Sequence, residues 1–491
     1  MLFLAIIIMA NREKVIVALS VVFGSLALNG CGRPATVHQP PPRELRQPDQ
    51  IIDWHFERLI KKGFPGAAVI VSQNGQIVYQ KGFGYSDVEH SIPITPETKF
   101  RIGSITKQFT AAAILKLQEN GKLRLDDKLS KFIPDYPRGD EVTIHHLLTH
   151  TSGIPSYTIK PDFMKTVTFQ IDPQKFIDSF KNDTFDFDPG EQQRYSNSGY
   201  FLLGYIVERI SGKSLQDYLK VVFFDPLDMK DTGIYHRNLK LDHEAAGYSY
   251  IHGHVRKAID WDMSRAGGAG ALYSTIIDLY KWNEALFNGK VLSESTLKAA
   301  FTPVVLNDGS TVQYGYGFHI DEICGMELIH HKGGFDGFTN YLMRIPQENF
   351  TVAVLANCNP GIPGMEPLAL ANYIAKVYLF GQMANVSPKE DKTIDSKIYD
   401  DYVGRYDYGS DDVLIVTKQR DRLFAQLTGQ SKYEIFPLSE DKFFWKIVDA
   451  QITFVRDEKG NVTHAVHYQG GCTRKVPKLK ESKPYLRPDR L

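Results

Sequence analysis

A serine three residues ahead of a lysine, as in Ser104-Ile-Thr-Lys107, suits a reaction in which an amine takes the proton of an attacking hydroxyl. The stretch from Ser104 to Gly121 is rich in Ala and Leu and stops at Asn120-Gly121, so it reads as a helix with Ser104 as its N-cap. Residues three apart on a helix are neighbours, which aims Lys107 at Ser104. A lysine in a poorly solvated pocket loses part of its preference for charge and can accept a proton. The spacing alone is common, and recurs at Ser295-Thr-Leu-Lys298. Two further patterns give it weight. Tyr195-Ser-Asn197 follows about 90 residues later, and His331-Lys-Gly333 about 135 residues after that.

Each pattern has its own chemistry. A phenol titrates near pH ~10 but ionises more easily when it faces an ammonium group, so Tyr195 is expected to share the serine proton and pass it to a leaving group. The Asn197 amide suits a substrate carbonyl and can orient Lys107. Gly333 and Gly334 let the backbone approach a bound acyl group. An N–H there, with that of Ser104, would make an oxyanion hole. His331 is expected to face the site and touch substrate. A metal is not expected. His330 and His331 are adjacent on a strand and point to opposite faces. His145 and His146, and likewise His252 and His254, lack matching ligands. No cofactor of another kind is called for.

The stretches Phe100-Arg-Ile-Gly-Ser-Ile-Thr-Lys107, His146-Leu-Leu-Thr-His-Thr-Ser-Gly-Ile-Pro155, Tyr195-Ser-Asn197, Ala266-Gly-Gly-Ala-Gly-Ala-Leu-Tyr-Ser274 and His331-Lys-Gly-Gly334 carry a resemblance. Over roughly residues 50–382 the chain resembles the serine β-lactamase and penicillin-binding-protein superfamily, on its class C and D-alanyl-D-alanine carboxypeptidase side. The resemblance implies a covalent acyl-enzyme on Ser104. Lys107 and Tyr195 would manage protons, Asn197 would bind the substrate amide, and the N–H groups of Ser104 and Gly334 would hold the oxyanion. Many β-lactamases of this group begin the third motif with lysine. Here it begins with His331, as in members that look like carboxypeptidases, aminopeptidases and esterases. Neutral imidazole is a weaker anion anchor than ammonium. The expected substrates are therefore small D-amino-acid peptides, amides or esters, cell-wall fragments among them, with weak β-lactamase activity. The competing reading is a catalytically silent lipoprotein that binds or senses peptidoglycan fragments or β-lactams.

The N-terminus reads as an export signal over residues 1–30. Arg12 and Lys14 flank the apolar segment Val15–Leu28, which is too short for a comfortable membrane span. Met9 is an alternative start. Leu28-Asn-Gly-Cys31 resembles a lipobox, so Cys31 is expected to carry lipid. Residues 31–48 then form a Pro-rich tether to a bacterial membrane, on its periplasmic or outer side. Cys324, Cys358 and Cys472 are too few and too scattered for a disulfide framework. Whether Cys324 pairs with Cys358 stays open. Lys and Arg total 57 and so do Asp and Glu, which leaves no basic excess for nucleic acid.

These groups need a scaffold. An amphipathic helix is predicted over Gln47–Lys62, then a hairpin, Gly66–Ser72 and Gln76–Tyr79, about Asn74-Gly75. Largely helical sequence follows to about Asn288. Strands return at Gly315–Ile320, Leu328–His331, Tyr341–Ile345 and Thr351–Ala356, ahead of an apolar helix at Pro367–Phe380. With the resemblance, this implies an α+β domain over 49–383: an antiparallel sheet flanked by helices, with an inserted helical lobe. After a linker at 384–394, six short apolar or alternating segments predict a small antiparallel β-barrel-like domain over 395–485. Tyr402-Val-Gly-Arg-Tyr406 resembles the opening of lipocalin-like domains appended to such hydrolases.

Overall fold

The computed structural model describes residues 47–251, 254–323, 326–359, 366–379, 390–409, 412–428, 432–445, 450–469 and 472–479. The export signal, Cys31, nearly all of the tether, Cys324 and most of the expected linker lie outside these residues. Among the described residues no helix is long and apolar enough to cross a membrane.

Helix α1 (Pro48–Leu59) begins with proline at its first turn, where the missing N–H costs nothing. The hairpin β1 (Ala67–Gln73) and β2 (Gln76–Phe83) turns through Asn74 and Gly75 at φ of 53° and 73°, the left-handed pair that a two-residue turn requires. Next come α2 (Thr106–Glu119), α3 (Ile144–Leu148), α4 (Asn197–Ser211) and α5 (Ile276–Phe287). The chain then returns to the sheet in β3 (His319–Ile323), β4 (Met326–Phe335), β5 (Phe338–Ile345) and β6 (Phe350–Ala356). Helix α6 (Pro367–Leu379) follows.

The six strands form one antiparallel sheet in the order β3-β4-β5-β6-β1-β2. The first hairpin is thus stitched to the last strands through Ala67↔Ala356 to Gln73↔Phe350. Alternation along these strands feeds two cores. Ala68, Ile70, Leu342 and Ala353 face the cluster that holds α2, α4 and α5. Val69, Val71, Met343, Val352 and Val354 face the cluster of α1 and α6, with Ile52, Phe56, Leu370 and Ile374.

Eight antiparallel strands make the second domain: β7 (Gly404–Gly409), β8 (Asp412–Gln419), β9 (Arg422–Leu427), β10 (Tyr433–Pro437), β11 (Lys442–Phe444), β12 (Ala450–Arg456), β13 (Val462–Gln469) and β14 (Cys472–Pro477). They pair in chain order. A bridge between Tyr406 and Lys478 brings the first strand against the end of the last and nearly closes a barrel. Its interior is filled by residues such as Tyr402, Tyr406, Leu423, Phe443, Ile452 and Phe454.

Three predicted elements differ. The strand expected at Gly315–Ile320 starts only at His319, because Gly315 and Gly317 carry the chain past Ala300 and α2, where a Cβ would lie 2.0 Å from the Ala300 carbonyl and 2.9 Å from that of Lys107. The barrel has two strands beyond the six predicted, its first and its last. Ser104 is not an N-cap: α2 starts after a 3-10 turn, Gly103–Ile105, and has no side-chain cap.

The lobe is locked to α2 through aromatic packing. Trp282 of α5 is fully buried, stacks on Phe109 with ring centroids 4.0 Å apart and meets Phe223 edge-on at 5.5 Å. Trp282→Ala is expected to cost the main domain about 3–5 kcal/mol, read from urea unfolding followed by circular dichroism. A loss below about 1 kcal/mol would contradict this packing role.

Candidate active site

Ser104 is the one residue between Phe100 and Leu115 that is not buried. The turn that carries it lies against β4 by virtue of two glycines. Gly103 has φ 56°, and a Cβ there would lie 2.7 Å from the Gly334 nitrogen. A Cβ on Gly333 would lie 1.9 Å from the Ile102 carbonyl oxygen. Only glycine fits either place. The Ser104 turn and the Gly334 amide are therefore brought together, as two oxyanion donors must be. Gly334 itself is exposed and has room around it, with no atom nearer than 3.6 Å to a built Cβ. Glycine at 333 is thus required to seat the turn, a reason beyond the approach to an acyl group that the sequence suggests.

Lys107 is fully buried. Its Nζ lies 3.1 Å from Ser104 Oγ, 2.8 Å from Asn197 Oδ1 and 2.8 Å from the Ala269 carbonyl. Asn197 opens α4. Ala269 ends the turn Gly267–Ala269, which Thr110 of α2 holds by donating to the Gly268 carbonyl at 2.7 Å. None of the three partners is an anion, and burial drives the Lys107 pKa well below the ordinary lysine value. A neutral amine fits these partners fully. In the neutral form two N–H groups can serve the two carbonyl oxygens, which leaves the lone pair for the serine hydroxyl.

Tyr195 precedes α4. Its ring centroid is 4.7 Å from Lys107 Nζ, and its phenol is hydrogen-bonded to Ser104. Burial nonetheless raises the phenol above its ordinary value, the Ser104 bond offsetting part of that rise. This corrects the expectation of an easily ionised phenol. The facing amine is itself pushed toward neutrality, so no full ammonium charge is there to stabilise a phenolate.

His331 is buried at 1% exposure. Its Nδ1 contacts the Lys332 carbonyl at 2.7 Å and its Nε2 the Tyr314 hydroxyl at 3.2 Å. Both nitrogens are engaged, and burial pulls the imidazole well below its ordinary pKa, with His319 and Lys107 adding to the effect. The expectation that His331 touches substrate therefore finds no free atom on the ring. Its centroid is 6.2 Å from that of Tyr195, so it backs the tyrosine. His150, behind Tyr195 with ring centroids 4.3 Å apart, belongs to the His146–Pro155 segment, where the sequence pattern assigns it no role. Tyr314 carried no sequence signal. Among the described residues the group spaced for a metal is Asp87, Glu89 and His90, which shares no residue with this site.

The chain was compared with known proteins. Residues 49–375 match the family model described as Beta-lactamase, and 388–479 match "Domain of unknown function (DUF3471)". Penicillin-binding protein 4* of Bacillus subtilis (strain 168) is 31% identical over 436 residues, covering 84% of this chain and 95% of that protein. The octameric penicillin-binding protein homologue from Pyrococcus abyssi superposes with a TM-score of 0.58 at 29% identity, over 84% of this chain and 96% of that one. The D-amino acid amidase from Ochrobactrum anthropi SV3, solved with L-phenylalanine amide, gives 0.56 at 29% identity, over 63% and 90%.

The fit of the Ser104 turn against β4 has a direct test. Gly103→Ala, which adds a Cβ 2.7 Å from the Gly334 nitrogen, is expected to lower kcat about 100-fold by parting the two N–H donors. The readout is steady-state hydrolysis of an activated ester, and a loss under about threefold would contradict the fit.

Proposed function

This chain belongs to the serine β-lactamase and penicillin-binding-protein family of hydrolases, and from that premise we propose that it hydrolyses D-amino-acid peptides, amides or esters through an acyl-enzyme on Ser104. The observation that carries this reading is the Lys107 amine, buried 3.1 Å from the Ser104 hydroxyl with no anion among its partners.

In the proposed cycle Ser104 Oγ attacks the substrate carbonyl as its proton passes to the Lys107 lone pair. The N–H groups of Ser104 and Gly334 take the oxyanion. Tyr195 stays protonated in the resting site, so it serves as the donor. Its O–H protonates the leaving nitrogen or oxygen and recovers a proton from the Lys107 ammonium. The C–N or C–O bond breaks, leaving an ester on Ser104. A water then attacks this ester, giving its proton to the same pair; the bond from the acyl carbon to Ser104 Oγ breaks, Oγ takes that proton back, and the acid is released. The two residues act as one coupled unit.

Substrate choice follows from what the third motif lacks. A neutral His331 with both nitrogens engaged gives no cation to a β-lactam carboxylate, which supports weak β-lactamase activity. The likeness to a D-amino acid amidase supports amides. Cys31 as a lipid anchor in the cell envelope is part of the same proposal, as are cell-wall fragments as substrates.

Purified protein treated with a fluorophosphonate probe is expected to gain one adduct, mapped to Ser104 and absent in Ser104→Ala. D-aminoacyl esters and amides are expected to turn over faster than nitrocefin. Binding of peptidoglycan fragments without any adduct would favour the silent-receptor reading instead. The pH profile of kcat/KM is expected to fall on the acid side as Lys107 protonates. Because burial raises Tyr195, no descending limb is expected below about pH 10. A phenolate-dependent rise toward pH ~10 would assign the resting base to Tyr195.

A further inference from the structure

The contacts of His331 continue behind the site. The Ser196 N–H donates to His150 Nδ1 at 3.1 Å. A ring nitrogen that accepts carries no proton, so neutral His150 holds its proton on Nε2. That Nε2–H points to the Tyr314 oxygen at 3.2 Å, which leaves the Tyr314 proton for His331 Nε2, also at 3.2 Å. At the far end His331 Nδ1 meets the Lys332 carbonyl at 2.7 Å. A carbonyl only accepts, so Nδ1 bears the proton. The other tyrosine against His150, Tyr200, donates to the Leu148 carbonyl at 2.8 Å, and its oxygen is a second acceptor within reach of the Tyr314 proton. His150, Tyr314 and His331 are each 1% exposed, which shuts them off from bulk water.

We propose that His150 and Tyr314 are positioning residues. Their one-way hydrogen-bond chain, from the Ser196 amide to the Lys332 carbonyl, holds His331 as the neutral Nδ1–H tautomer and seats the ring of Tyr195. The tautomer does not depend on the hydrolase reading; the effect on catalysis rests on it.

The chain matters because of what surrounds His331. Lys107 faces it from α2, Tyr195 from ahead of α4, Tyr314 from ahead of β3, His319 from β3, and His330 lies beside it on β4. The carboxylate of this cluster, Asp321, is held by His330 Nε2 at 2.7 Å. A cation on His331 would therefore sit against Lys107 with no anion of its own, disfavouring the ammonium that forms as Ser104 attacks. To protonate Nε2, Tyr314 must give up His331 as its acceptor and turn its proton to Tyr200, while still receiving the proton of His150. The chain makes that costly.

The test uses the full chain labelled with ¹⁵N-histidine, its ring nitrogens followed by two-bond correlation spectra. His331 is assigned by the signals lost in His331→Gln. In the wild type His331 is expected to be protonated on Nδ1 alone and to stay neutral from pH ~8 to ~5. Tyr314→Phe removes the donor to Nε2 and keeps the ring. It is expected to raise the His331 titration midpoint by about one pH unit or more, and to lower kcat about 10-fold with KM within about twofold. Loosened packing would raise that midpoint too, by admitting water, so the shift supports the chain only where the midpoint of His319, which packs on Tyr314 and is lowered by the same burial, stays unmoved. A wild-type His331 protonated on Nε2, or cationic near neutral pH, overturns the proposal. So does a folded Tyr314→Phe with an unmoved midpoint or an unmoved kcat. If Tyr314→Phe does not fold, the wild-type nitrogen pattern decides alone. If the wild type turns over no substrate, the hydrolase reading fails while that pattern still decides the chain.

Discussion

The amine of Lys107, buried without an anion beside it, is the constraint to which the rest of the site is fitted. Burying an ammonium with neutral partners is expensive, and the fold meets the problem by favouring the uncharged form. Neutrality then has structural requirements. Two carbonyl oxygens must accept its N–H groups, and they come from Asn197 at the start of α4 and from Ala269 in a glycine-rich turn. The turn approaches so closely because Gly268 packs on Gly204 of α4, where an added Cβ would lie 2.9 Å from the Gly204 Cα. The remaining lone pair is then left for the Ser104 hydroxyl, and in the proposed cycle that turns a packing requirement into a base.

The same economy of charge extends outward. Tyr195 is held protonated and His331 neutral, so the resting pocket around Ser104 carries little net charge. In the proposed cycle charge appears only when Ser104 attacks, as an oxyanion in front of the backbone N–H groups and an ammonium behind. In a poorly solvated pocket both are sensitive to small displacements of dipoles. This is why the two glycines that seat the Ser104 turn on β4 matter as much as the reactive groups.

Much of this was legible in the residues themselves. The Ser104–Lys107 and Tyr195–Asn197 segments lie about 90 residues apart in the chain, and the structure brings them together with Gly334. The hairpin at Asn74-Gly75, the two-faced sheet and the meander were readable from alternation and turn residues. What escaped depends on three-dimensional surroundings. Gly333 looked like an opening for substrate and is also required by the Ile102 carbonyl, a contact between segments more than 200 residues apart. The direction of the Tyr195 shift depends on burial and on the state of its neighbour. The first and last barrel strands were missed because Gly404-Arg-Tyr-Asp-Tyr-Gly409 and Cys472-Thr-Arg-Lys-Val-Pro477 are polar and short of alternating apolar residues. Cys31 and the export signal were read from the sequence and lie outside the described residues.

The protonation state of Lys107 is open to direct observation by NMR of protein labelled at lysine Cε and Nζ, with the signal assigned through Lys107→Met. One lysine is expected to be already uncharged near neutral pH, with a signal that disappears in that variant. If every lysine instead stays charged until about pH 10, the amine beside Ser104 is not the resting base, and the mechanism built on it is wrong.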